Sequence, residues 1–210
     1  MARAQVDGKA NEKGGDPVRV RIVAAARSHF LTHGFRRITM DDLAAELGIS
    51  KKTLYECFGS KIELLQAVIL NKVGEAQAAF EVIADERWPD FKSELHQLHA
   101  CAQRQLEEIR PPFIRDLQRD APELFALIQT RRRTLIHRHF KKLFDRGRKA
   151  GTVRRDIPTS LIIEILLGAT DAIVNPAKMV ELGLTPDAAY SAVLRVVLDG
   201  IIVKTGRAKK

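Results

Sequence analysis

The chain has 210 residues, with 35 Lys and Arg against 26 Asp and Glu, a formal net charge of +9, 45% hydrophobic residues and 29% charged residues. That length holds a small domain plus a larger one, and the composition excludes disordered, fibrous and disulfide-built proteins. The positive excess favours a polyanionic partner without naming it. Cys57 and Cys101 are the only cysteines, a usage that suits a reducing compartment.

Residues 1–15 are polar, glycine-containing and aperiodic, which predicts a flexible arm whose Arg3, Lys9 and Lys13 either reach the polyanion or stay solvated. This segment lacks the apolar stretch of a signal peptide. The longest apolar run, around Leu161–Thr170, is interrupted by Glu164 and too short to span a bilayer. A cytoplasmic protein with no membrane insertion is expected. Asp16-Pro17 opens a first helix, because Asp caps and Pro suits the first helical position. Ile22, Val23, Ala26 and Phe30 form its buried stripe, and Gly34 stops it. Phe35 then packs back, and Arg36-Arg37 precede Thr39.

From Thr39 to Lys61 the sequence reads TMDDLAAELGISKKTLYECFGSK. Thr39 and Asp42 have the spacing of a capping box. Leu43, Ala44 and Leu47 make one apolar face, and Gly48 ends the helix through a left-handed turn. Ile49 plugs the turn. Ser50 caps a second short helix, which Leu54 and Phe58 bury against the first. Lys51, Lys52, Thr53 and Tyr55 are left on its exposed side. Two such helices form a helix-turn-helix, and cation and hydroxyl donors at the start of the second suit phosphates and base edges. Ser60-Lys61 opens a fourth helix with Ile62, Leu65, Val68 and Ile69 on one face.

These residues carry a family likeness. Thr39, Leu43-Ala44, Gly48-Ile49-Ser50, Thr53-Leu54-Tyr55, Phe58 and Lys61 resemble the DNA-binding head of TetR-type transcriptional repressors. The clear resemblance covers residues 17–71; beyond it only length and helical layout agree. Two positions depart from the common pattern. Lys52 stands where a small residue is frequent, and Cys57 where an aromatic or histidine often touches phosphate. Glu56 places an acid near the expected backbone path. The resemblance implies an all-α protein: a three-helix head with a helix-turn-helix, plus a helical ligand-binding and dimerisation domain. The division expected is 1–15 arm, 16–60 head, 61–205 body and 206–210 basic tail.

Helix breaks at Trp88-Pro89, Pro111-Pro112, Ala121-Pro122, Gly151, Pro158, Asn175-Pro176 and Gly183–Pro186 predict body helices over 61–84, 89–109, 112–119, 122–149, 158–175 and 186–204. The last two are apolar nearly all round, so each is buried on more than one side. Leu161, Ile165 and Gly168, with Val193, Val197, Gly200 and Ile201, are the candidate contacts of a homodimer. The resemblance agrees, implying a four-helix bundle built from two such helices per subunit. Phe91, Leu95, His99, Phe113, Leu117 and Phe125 are candidates to line an effector cavity, although a plain core uses the same residue types.

From Arg131 to Arg155, eleven Lys and Arg face only Asp145, a net +10, against +4 over Pro17–Ile62. A solvated helix face is the default for such a run, with an anionic ligand, an acidic partner or a second DNA contact as alternatives. The last is disfavoured because the resemblance places this helix away from the DNA-facing end. No G-x-S-x-G elbow, H-E-x-x-H motif or phosphate-cradling glycine loop is present, so neither catalysis nor a cofactor is expected. His29/His33 and His96/His99 have one-face spacings, but a metal site needs further ligands.

The function expected from the resemblance is a DNA-binding regulator, a repressor released from a palindromic duplex operator by a small-molecule effector. Lys51, Lys52 and Thr53 would contact bases or lie near them; Thr39, Ser50, Tyr55 and Lys61 would position phosphates. The competing expectation is a DNA-bound interaction protein without an effector, recruiting a partner through helix 131–149.

Overall fold

The computed structural model describes residues 16–203. The expected arm at 1–15 and tail at 206–210 lie outside the described residues. Among those described, ten helices occur and no strand. They are α1 (Pro17–His33), α2 (Met40–Leu47), α3 (Lys51–Cys57), α4 (Lys61–Asp85), α5 (Phe91–Glu107), α6 (Pro111–Asp120), α7 (Pro122–Lys149), α8 (Thr159–Ile173), α9 (Pro176–Leu182) and α10 (Pro186–Ile201).

Local chemistry sets most helix starts. The Asp16 carboxylate accepts from Val18 N–H at 3.0 Å, with Pro17 in the first turn. Ser50 accepts from Thr53 N–H at 3.0 Å, Ser60 from Glu63 N–H at 3.1 Å and Asp90 from Ser93 N–H at 2.8 Å. The Asp90 cap explains why α5 starts at Phe91 rather than at Pro89. The seven-residue α9 has no counterpart among the predicted helices. Asn175 caps it and Gly183 ends it at φ 63°, signals that read as plain helix breaks in the sequence.

The helices pack around two cores. In the head, Ile22, Phe30, Leu43, Leu54 and Phe58 meet Leu64, Leu65 and Val68 of α4. Phe113 and Leu117 of α6 join this same core. In the body, Phe80, Leu98, Phe140, Phe144, Leu166 and Leu194 share the second core. The chain division expected at residue 60 is therefore not where the packing divides. The first half of α4 belongs to the head core, and Phe80 and Ile83 near its end belong to the body core.

Further ties reinforce the junction. Arg110 N–H donates to Leu31 carbonyl at 2.9 Å, joining the α5–α6 turn to the end of α1. Asp116 on α6 accepts from Arg36 N–H at 3.2 Å. At the far end, Val153 pairs with Ile202 in an isolated antiparallel bridge, and Val203 N–H donates to Thr152 carbonyl at 2.8 Å.

Candidate nucleic-acid interface

Helices α2 and α3 are fixed from both ends. Thr39 and Asp42 form a reciprocal capping box: Asp42 N–H reaches Thr39 Oγ1 at 3.1 Å, and Thr39 N–H reaches Asp42 Oδ2 at 2.8 Å. The hydrogen bonds from Thr39 hold the Asp42 carboxyl below its ordinary value of 3.8. Gly48 closes α2 at φ 64°, ψ 32°, and its N–H and that of Ile49 return to Ala44 and Ala45 carbonyls. Leu54 and Phe58 are fully buried, so α3 cannot roll without opening the head core.

The outward face of α3 carries Lys51, Lys52, Tyr55 and Glu56, all exposed. Thr53 is half-buried, and its hydroxyl lies 2.8 Å from that of Ser50. Lys51 Nζ donates to Asp41 at 2.5 Å, and Lys52 Nζ lies 3.9 Å from Glu56. Exposed pairs of this kind hold weakly and exchange readily for another anion. The hydrogen bond from Lys51 to Asp41 raises the Lys51 pKa, so that ammonium stays charged throughout the neutral range.

Lys61 differs from the sequence expectation. It is half-buried, donates to Arg36 carbonyl at 3.3 Å and lies 5.8 Å from the centre of the Phe35 ring. Burial lowers its pKa. It braces the α1–α2 turn in this state. Cys57 is partly buried and packs against the head core, so it is not one of the exposed α3 residues. Its carbonyl accepts from the Arg19 guanidinium, which lies 4.0 Å over the Phe58 ring. Arg19 was not singled out in the sequence, because its partners lie about forty residues away on other helices.

The residues expected to line an effector cavity do not come together. Phe113, Leu117 and Phe125 pack on the head core, because α6 and the start of α7 lean against α1. Phe91 and Leu95 fill the body core, Phe91 beside Gly147 and Phe144. His99 stacks on Tyr190 at 5.9 Å between ring centres. A cavity of about 410 Å³ lies instead between α4, α5 and α7, with Tyr190 of α10 also on its wall and none of those six residues in its lining. Its size falls within the range of small-molecule sites.

The expected dimer residues also divide. Leu161, Ile165, Gly168 and Gly200 are exposed, with Leu161 and Ile165 each at 49%. Val193 and Ile201 are buried in the body core and Val197 packs half-buried against it, because α10 is held by α5 and α8. Val196, 73% exposed, occupies the outward position on α10 instead.

Part of the basic segment is neutralised within the chain, while Arg131, Lys142, Arg148, Lys149 and Arg155 are in no ion pair among the described residues. Arg132 pairs with Asp171, Arg133 with Glu164, Arg138 with Glu81, Lys141 with Asp145 and Arg146 with Glu94. Of the histidines, His29 lies 2.7 Å from Glu46. No single helix among the described residues is long and apolar enough to cross a membrane.

Comparison with known proteins agrees with this geometry. Residues 22–68 match the profile of bacterial regulatory proteins of the tetR family, a span covering α2, α3 and parts of α1 and α4. The chain is 30% identical over 193 residues to the HTH-type transcriptional regulator UidR of Escherichia coli K12, covering 89% of this chain and 93% of that protein. Among solved structures, a protein from Saccharomonospora viridis in complex with choline superimposes with a TM-score of 0.70 at 17% identity, over 90% of this chain and all (100%) of that one. SmeT, the repressor of the Stenotrophomonas maltophilia multidrug efflux pump SmeDEF, gives 0.64 at 19% identity, over 91% and 96%. The chain belongs to the TetR family of bacterial regulatory proteins and is a helix-turn-helix transcriptional regulator.

Proposed function

We propose that the protein is a dimeric repressor that reads an inverted-repeat operator and is released by a small molecule bound in its body. The observation that carries DNA reading is α3 itself. It is locked by Leu54 and Phe58 and presents Lys51, Lys52 and Tyr55 to solvent from its first two turns. Thr53 lies beside them; Thr39 and Ser50 stand at the helix starts, where the first-turn amides favour a phosphate. Two heads related by a two-fold axis fit half-sites about one helical turn apart, ~34–36 Å. The outward apolar side chains of α8 and α10, Leu161, Ile165 and Val196, support a partner subunit there. SmeT is a repressor by its own description, and the Saccharomonospora protein holds choline.

Release follows from α4. One helix contributes to both cores, and its middle, from Lys72 to Phe80, lines the 410 Å³ cavity. A ligand that binds the DNA-free arrangement more tightly shifts the heads away from the operator spacing. Equal effector affinity with and without operator would overturn the release step. Recruitment of an acidic partner through helix 131–149 is less favoured, since Arg132, Arg133, Arg138, Lys141 and Arg146 are already paired inside the chain.

The test is selection of bound duplexes from a random pool in excess nonspecific DNA, followed by the mass of the complex. The proposal expects an enriched inverted repeat carrying two subunits, or a multiple of two. A pool without enrichment, or a single subunit per site, would contradict it.

A further inference from the structure

We propose that the cavity between α4, α5 and α7 takes an organic anion, a carboxylate on an apolar body, and that Glu108 relays its arrival to the head. This rests on the effector reading above and adds the class of ligand and the route of its action. Most of the cavity wall is hydrocarbon, but its charged residues are all basic: Lys72, Arg131, Arg132 and Arg138 line it, and no acid does. The carboxylates that pair with three of these cations, Glu108, Asp171 and Glu81, are not part of the lining. Arg131 is in no ion pair among the described residues.

Polar atoms on the wall point the same way. Arg132 Nε and Gln105 Oε1 are both buried without a hydrogen-bond partner. Buried donors are nearly always satisfied, and a carboxylate oxygen would satisfy the arginine with a charge-assisted bond. A half-turn of the Gln105 amide offers a second donor to the same anion. A cationic ligand would face four cations on the wall; a neutral amide would meet Arg132 Nε only through a weaker hydrogen bond than a carboxylate makes.

The route to the head runs through one carboxylate. Lys72, buried on α4, lies 3.2 Å from Glu108 Oε1 at the end of α5. The same carboxylate accepts from Arg27 of α1, from Nη2 at 2.8 Å and Nε at 3.0 Å. Arg27 also holds Glu75 of α4 at 2.6 Å. An anion in the cavity and Glu108 therefore compete for one ammonium. When the ligand takes it, the strap joining α4, α5 and α1 loses an anchor, and α4 is freer to move against the head.

The test uses the full chain and three ligands that share one tail: octanoate, octanamide and octyltrimethylammonium, titrated by calorimetry. Octanoate is expected to bind roughly tenfold tighter than octanamide, with the cation weakest. Arg131→Gln is expected to lower that preference with an unchanged melting temperature. Hydrogen exchange in α1 is expected to speed up on adding octanoate. In Glu108→Gln that response should vanish, although the variant binds octanoate more tightly because Lys72 is free. Equal affinity for octanoate and octanamide, tighter binding of the cation, or a preference untouched by Arg131→Gln overturns the anion assignment and leaves the effector reading standing. Binding by none of the three overturns the ligand class, while the operator test above still judges the DNA-reading part separately. The same α1 response in wild type and Glu108→Gln overturns the relay alone.

Discussion

Gly34 meets two demands at once. Its φ of 84° lies where side chains are strained, and a Cβ built there would sit 2.4 Å from Asp116 Oδ2. Gly48 has a similar φ of 64° but open space around it. Gly34→Ala is therefore expected to lower stability by about 1–3 kcal/mol, and more than Gly48→Ala, measured by denaturant midpoints. At Asp42 the hydrogen bonds from Thr39 depress the folded pKa below 3.8. Its contribution is present above the unfolded value and fades as pH falls through the folded one. Thr39→Ala should accordingly flatten the acid side of the stability profile, read by melting temperature between neutral and strongly acid pH. A slope unchanged by the substitution would remove that attribution. Caps were legible in the sequence because donor and acceptor lie within three residues, as in Thr39–Asp42 and Ser50–Thr53. The Arg27–Glu108 pair was not, because its partners are 81 residues apart and only folding brings them together.

At the scale of elements, α3 depends on packing more than on its own length. Seven residues make a marginal helix, and Leu54 anchors it at zero exposure. Leu54→Ala is expected to cost about 2–5 kcal/mol and to loosen α3 in hydrogen exchange ahead of the body helices. Uniform loss of protection across all helices would show instead that head and body unfold as one. The breaks at Pro111-Pro112 and Ala121-Pro122 marked α6 as a helix. They could not say against what it packs: Phe113 and Leu117 belong to the head core, so the cavity expected around them lies elsewhere. Periodicity reports that a face is covered and is silent about its neighbour. The short α9 was missed for a related reason, since a seven-residue helix between Asn175-Pro176 and Gly183 carries the same punctuation as a loop.

For the whole molecule, the proposed dimer turns on which apolar side chains of α8 and α10 face outward. Val196, Leu161 and Ile165 remain exposed on α10 and α8, while Val193 and Ile201 turn inward. Val196→Glu is expected to shift the protein toward monomer in sedimentation with little change in melting of the isolated subunit, and Val193→Glu to unfold it. If Val196→Glu leaves a dimer intact, the subunits meet on another surface. The apolar character of both helices was visible in the sequence; which side faced outward was not, because both sides carry Val, Leu and Ile.

The most direct test of DNA reading is the affinity of wild type and Lys51→Ala for the selected duplex and for a scrambled one, at fixed salt. Lys51 is exposed and makes no core contact, so its loss should leave melting unchanged. Wild type is expected to prefer the selected duplex by at least about a thousandfold. The variant should lose about 1–3 kcal/mol of that discrimination if Lys51 meets a base. Undiminished discrimination in Lys51→Ala would contradict Lys51 as a base contact, and equal affinity of wild type for both duplexes would contradict the placing of α3 in the groove.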